Sequence, residues 1–349
     1  MTAREGRAEP NPVRVKTVWR KDDVRIGLVG FFGWGNYGDE LLRRVWEQAL
    51  GPSYDAAPVH DLLQEPYFSR SADTVAKEHD ALVIGGGDLV IPNKISPLYW
   101  NRAWLQRPVV IAGIGVPTWI RQRVPSVMER MQDFFQHRNV RYISARDEES
   151  AEWIRRELRP RAPVHVRADL VFSLMMPRAH PYARPTVGIN MRTHSAGSDP
   201  AELVATVRAL QEQGVDVVML VLGTGQTRAK DLEVSEGFPV DLPILESESL
   251  DELSAYIGGL DLLLSNKYHG TVVASMYGVP SIVLSSTAKS RNLYRRLDRL
   301  PLLSSNEDPQ MLDKVGMSRM PVSRIAVDVL RNEAALCVRE VRDVIDSVL

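Results

Sequence analysis

The sequence predicts an α/β protein made of two doubly wound parallel-sheet domains that face each other across a cleft. Three observations predict it. Short β-branched runs alternate with amphipathic helical stretches through the first half, a Pro-containing break at 174–185 interrupts both periods, and the alternation then restarts. At 349 residues the chain is also too long for one typical core and long enough for two.

Element by element, residues 24–31, 81–84, 108–114 and 140–145 read as strands, and 39–50, 126–137 and 148–158 as crossover helices. Residues 1–23 are rich in Arg, Glu, Pro and Asn, lack the apolar core of a signal peptide and read as a disordered tail. A first domain over 24–176 is followed by a linker at 177–185, marked by Pro177, His180, Pro181 and Pro185. The second domain, 186–349, places strands at 186–191, 215–222, 260–264 and 280–284 and helices at 200–213, 250–258 and 271–277. A final helix over 322–349 carries an apolar stripe long enough to pack back across the domain junction. Ligands of such open sheets bind at the carboxyl ends of the strands.

Charge narrows the function classes. Lys and Arg total 43 against 44 Asp and Glu, so nothing global argues for nucleic acid or an anionic membrane, and any anion site must be local. The lone Cys337 excludes an internal disulfide and a cysteine-rich metal site, which fits a reducing cytoplasm. No window approaches a membrane span, so contact with a membrane would be peripheral, at its inner face, or through a lipid-linked substrate.

The chemistry-bearing residues cluster at strand ends. Residues 260–264 deliver Asn266, Lys267, His269 and Gly270 to a helix start, where backbone N–H groups already favour an anion, and Lys289 follows the next strand. This combination reads as a pocket for a small anion. Arg291 is a secondary candidate within the basic run Arg291, Arg295, Arg296 and Arg299, which otherwise reads as a solvated helix face. A histidine at a helix start can equally be a capping or core residue. The other histidines, His60, His79, His137, His165, His180 and His194, show no metal-ligand spacing, and no metal is expected.

Four further strand ends stand out. The first runs into Gly33, Gly35, Asn36, Gly38, Asp39 and Glu40, either a capped structural turn or a loop offering an amide and a carboxylate to sugar hydroxyls. Its glycines match a dinucleotide register, but no acidic residue ends a second strand at the expected distance, which argues against nicotinamide. The second, Gly85, Gly86, Gly87 and Asp88, suggests a sharp turn or a close approach, and Gly113 with Gly115 a permissive turn. At the last, Arg146 emerges beside Asp147, Glu148 and Glu149, either as a solvated ion pair or as a fork for a carboxylate or phosphate.

Together these residues resemble the polysaccharide pyruvyltransferase family. The resemblance rests on the 35–40 loop, Gly85–Gly87, the 144–150 segment, Arg167-Ala168-Asp169, Lys267-Tyr268-His269-Gly270 with Ala274 and Gly278-Val279-Pro280, and Lys289, over about 24–300. One departure is clear: the family reads Arg-x-His where this chain has Lys267-Tyr268-His269, replacing a bidentate fork by a point charge.

The resemblance implies a glycosyltransferase-B-like pair of Rossmann-type domains and transfer of a pyruvyl group from phosphoenolpyruvate, a co-substrate, to a sugar as a ketal, with no cofactor. The sugar would belong to a glycan or glycoconjugate of the cell envelope, lipid-linked or nucleotide-linked. It further implies that Arg146, His269 and Lys289 bind or act on the donor, with Asn266, Lys267, Gly270 and Arg291 beside them. The acceptor would meet Gly35, Asn36, Gly38, Asp39, Gly86, Gly87 and Asp88 in the N-terminal loops. His269 would be general acid or phosphate activator, and Asp39 or Asp88 would take a proton from the sugar. Two other readings compete: a nucleotide-sugar glycosyltransferase or epimerase using Gly223-Thr224-Gly225 for phosphates, and a non-catalytic sugar- or anion-binding protein, for which Lys267 is the best argument.

Overall fold

The structure, a computed structural model, describes residues 24–192 and 199–349; the tail at 1–23 and His194 lie outside the described residues. Strands β1 (Arg25–Val29), β2 (Asp55–Pro58), β3 (Ala81–Gly87), β4 (Val109–Ile114), β5 (Val140–Ala145) and β6 (Val164–Val166) form one sheet in the order β2-β1-β3-β4-β5-β6. A second sheet, ordered β11-β10-β7-β8-β9, comprises β7 (Thr186–Asn190), β8 (Asp216–Leu220), β9 (Ile244–Leu245), β10 (Leu262–Ser265) and β11 (Ser281–Val283). Both are parallel throughout. Helices therefore cover both faces, and central strands such as β4 and β10 are buried along their whole length, which is why they read as unbroken apolar runs.

The helices are α1 (Tyr37–Leu50), α2 (Ala72–Lys77), α3 (Pro125–Phe135), α4 (Glu148–Trp153), α5 (Ala201–Glu212), α6 (Gly225–Glu236), α7 (Leu250–Gly258), α8 (Tyr268–Tyr277), α9 (Ala288–Arg296), α10 (Met311–Met317) and α11 (Arg324–Val348). Helix α1 buries Leu41, Leu42, Val45, Trp46 and Leu50 against the first sheet, and its acidic first turn suits the positive end of the helix.

Several elements departed from their sequence reading for identifiable reasons. The edge strand β2, Asp-Ala-Ala-Pro, has no β-branched residue, and β9 is two residues long. Helix α6 buries only Asp231 and Ser235, so it has no apolar stripe to read. Strand β3 runs on through Gly87 instead of turning at Gly85; Gly86 and Gly87 take φ of 92° and 84°, a region that glycine alone enters without strain. A Cβ at Gly86 would sit 2.6 Å from Leu42 Cδ1, so the glycine also lets α1 close on the strand end. An acidic residue does follow β2, Asp61, but its carboxylate is occupied by the Ser69 backbone N–H at 2.8 Å and by the Ser69 hydroxyl.

The long α11 follows the second sheet in sequence yet packs on the first. It buries Val327, Leu330, Ala334, Cys337, Val341 and Ile345, one face at helical spacing. Glu340 accepts from Tyr142 Oη at 2.7 Å and from Arg167 Nε at 3.0 Å, while Cys337 Sγ lies 3.2 Å from Ser144 Oγ. Arg167, one of the motif residues, thus holds the helix that straps the two halves together. No helix among the described residues is long and apolar enough to cross a membrane.

Candidate active site

The cleft lies where the carboxyl ends of the two sheets meet. Asn36 caps α1, its side chain accepting from Gly38 N at 3.2 Å, and Glu40 Oε1 accepts from Gly33 N at 2.6 Å and Gly35 N at 3.0 Å. The Asn36 cap and the two bonds to Glu40 fix the loop's path and leave Asp39 lining the cleft. Across it, α8 begins at Tyr268, three residues earlier than its sequence suggested, so His269 sits within the first helical turn.

Arg146, from the end of β5, is buried and pairs through Nη2 with Asp88, whose other oxygen lies 3.1 Å from Lys289 Nζ. Its Nε and Nη1 are buried without a hydrogen-bond partner among the described residues. Both cations lie by the Tyr268 ring, Arg146 Cζ at 5.1 Å and Lys289 Nζ at 5.5 Å from its centroid. Gly115 makes room for the pair: a Cβ there would lie 2.6 Å from both Arg146 Nη2 and Asp88 Oδ1. The bland reading of Arg146 as a solvated ion pair therefore fails on solvation.

His269 stands between the halves. Its Nε2 is 3.4 Å from Asp169 Oδ2, within ion-pair range but not aligned as a hydrogen bond, and a Cβ on Gly38 would fall 1.7 Å from Nδ1. Lys267 lines the cleft too, but its ammonium is paired with the buried Asp231.

The charges polarise one another. Burial raises the Asp88 carboxyl, but Arg146 and Lys289 outweigh it and hold Asp88 below the usual carboxylate range. Lys289 moves down, because burial and the neighbouring Arg146 outweigh its half-share in Asp88. Burial likewise lowers Lys267 against the pull of Asp231. Asp39, with no such close cation, is pushed up to about 7 by burial, with Lys289 opposing. Asp88 is thus a fixed anion, and Asp39 is a carboxyl able to exchange a proton near neutrality.

Arg146, His269, Lys289, Lys267, Asn36, Gly38, Asp39, Gly87 and Asp88 share this cleft, whose volume is about 220 Å³. Other expected residues do not line it. Arg291 is exposed on α9, and Asn266 is buried against Asn306 and Met191. Gly270 packs under α8, where a Cβ would meet Ser265 Oγ at 2.9 Å, and Gly86 packs on Leu42. Gly35 faces the 223–225 loop: Thr224 N donates to Gly35 O at 2.8 Å, and a Cβ on Gly35 would strike Thr224 O at 1.8 Å. Asp88 pairs with Arg146 and Lys289.

Four contributors went unassigned in the sequence. Tyr268 and Asp169 lay inside quoted motifs without a role, Gly115 looked like a bare turn, and Arg192, a cleft residue, carries no local signal. No group of three or more His, Cys, Asp or Glu placed to hold a metal occurs among the described residues. A larger depression of about 480 Å³ lies between the end of α8 and the start of α11, but it is lined by none of the predicted site residues.

Residues 36–287 match the model of a family described as polysaccharide pyruvyl transferase. No curated protein sequence matches the chain significantly. Among solved structures, UDP-GlcNAc 2-epimerase from Methanocaldococcus jannaschii is 10% identical, with 91% of this chain and 99% of that one covered and a TM-score of 0.55. The Neisseria meningitidis UDP-GlcNAc 2-epimerase bound to UDP-GlcNAc is 10% identical at 92% and 99% coverage, TM-score 0.53. An α-glucosyltransferase in complex with UDP and DNA is 13% identical at 93% and 100% coverage, TM-score 0.50. At such identities the likeness is one of fold, that of the glycosyltransferase-B architecture.

Proposed function

The chain belongs to the polysaccharide pyruvyl transferase family, and from that premise we propose that it moves the pyruvyl group of phosphoenolpyruvate onto two hydroxyls of a sugar, forming a ketal and releasing phosphate. The observation that carries this reading is the convergence of Arg146, Lys289 and His269, from both sheets, on one small cleft.

The donor carries a carboxylate and a phosphate on adjacent positions. The Nη1 of Arg146, buried without a hydrogen-bond partner among the described residues, suits a carboxylate oxygen, while Lys289, Arg192 and the start of α8 suit the phosphate. Ketal formation then requires a proton on the methylene carbon, attack of one hydroxyl oxygen on the carbon bearing phosphate, departure of phosphate with its bonding electron pair, and attack of the second hydroxyl. Of the two hydroxyl protons, one balances the new methyl hydrogen and the other leaves on phosphate. In this reading His269, a cleft residue, gives the methylene its proton and Asp39 relays a hydroxyl proton, its raised pKa fitting a base near neutral pH. Asp88, held ionised by two cations, fits a structural anion better than a base.

The nucleotide-sugar reading loses its phosphate loop: Thr224 N is taken by Gly35 O, and Gly225 N donates to Glu248 Oε2 at 2.9 Å. Thermal unfolding with phosphoenolpyruvate and with a nucleotide-diphosphate sugar separates the two, stabilisation by the first alone being expected.

A further inference from the structure

We infer that Asp169 is a positioning residue for His269: its carboxylate keeps Nε2 as the protonated nitrogen, so that Nδ1 is the nitrogen that exchanges a proton with substrate. The inference rests on the pyruvyl-transfer reading for its kinetic consequence, but not for its structural one.

Three observations carry it. Asp169 is itself fixed, since Oδ1 accepts from Val171 N at 3.1 Å as the cap of a short 3₁₀ turn, which leaves Oδ2 for the imidazole. The Nε2 atom is enclosed and finds no other partner among the described residues, so a buried N–H there is matched by that carboxylate alone. On the opposite edge, Nδ1 borders Gly38, a cleft residue, and any side chain at 38 would occupy the space beside it. Asp169 and His269 come from opposite halves of the protein: Asp169 follows β6 and His269 opens α8. Their contact therefore exists only when the cleft is assembled.

In the acid step, the imidazolium gives its Nδ1 proton to the methylene carbon, whose π pair forms the new C–H bond while the N–H pair returns to nitrogen. The neutral ring that results carries its remaining proton on Nε2, the tautomer that the Asp169 carboxylate favours. A carboxylate beside one nitrogen thus selects the other as the one that gives up its proton.

Asp169→Asn tests this, because the amide oxygen can still cap Val171 while its NH₂ turns toward Nε2 and favours the wrong tautomer. In the wild type, ¹⁵N shifts of the neutral His269 ring should report Nε2–H, and in the variant Nδ1–H. With phosphoenolpyruvate and a hexoside acceptor, kcat should fall on the order of 10²-fold or more while KM for the donor stays within about threefold. An unchanged tautomer, or a variant of undiminished kcat, would overturn the assignment. So would a loss confined to KM. A wild-type protein that releases no phosphate would instead defeat the pyruvyl-transfer reading, leaving the ¹⁵N measurement to decide the role of Asp169.

Discussion

Lys289 Nζ lies 3.1 Å from Asp88 Oδ2, and this contact ties the carboxyl end of the second sheet to that of the first. The same carboxylate meets Arg146, so one half-buried anion is shared by two cations and leaves a net positive charge for a ligand. Asp88→Asn should therefore destabilise the ligand-free protein, on the order of 3 kcal/mol, because two desolvated cations lose their partner. Phosphoenolpyruvate should then raise the unfolding temperature by more in the variant than in the wild type, its anionic groups replacing the lost charge. Equal shifts in calorimetry would show that the cations do not receive the donor.

Asp39 gives the pH dependence a definite sign. Its folded pKa of about 7 exceeds the ordinary value of 3.8, so the folded protein holds a proton there that the unfolded chain releases first. Its contribution to stability is fully present below the unfolded pKa and is lost as pH rises through the folded one. Asp39→Asn should thus be more stable than wild type at pH ~8, by an amount that shrinks toward pH ~4, in chemical denaturation across that range. If Asp39 relays the hydroxyl proton, the same variant loses the ascending limb of kcat near pH ~7.

Gly38 is constrained by its neighbour rather than by its own backbone, for a Cβ would fall 1.7 Å from His269 Nδ1. Gly38→Ala should keep the fold, since alanine favours the first turn of α1, and should cost on the order of 10²-fold in kcat by displacing the imidazole. Circular dichroism and phosphate release measure the two halves of that statement. A variant of wild-type turnover would mean that the ring shifts freely.

Much of this architecture is legible in the sequence because buried parallel strands announce themselves. The Val-Val-Ile-Ala run of β4 and the Leu run of β10 are buried along their length. What stayed hidden depends on tertiary partners. Helix α6 buries Asp231 and Ser235 instead of an apolar stripe, and its Asp231 is what pairs with Lys267. Arg146, His269 and Lys289 stood out through their places at strand ends. Asp169, by contrast, differs from any other turn aspartate only through the ring that Tyr268-His269 brings to it across the cleft.

The central claim is that His269 takes part in the chemistry while Lys289 holds the donor. It is tested most directly by parallel calorimetry with phosphoenolpyruvate and phosphate release with hexoside acceptors. The wild type should release one phosphate for each acceptor that gains the mass of pyruvate less one water. His269→Ala should keep much of the donor affinity and lose on the order of 10²-fold or more in turnover, whereas Lys289→Ala should lose mainly affinity. Near-normal turnover in His269→Ala, with the product unchanged, would contradict the account and return this histidine to a structural place at the start of α8.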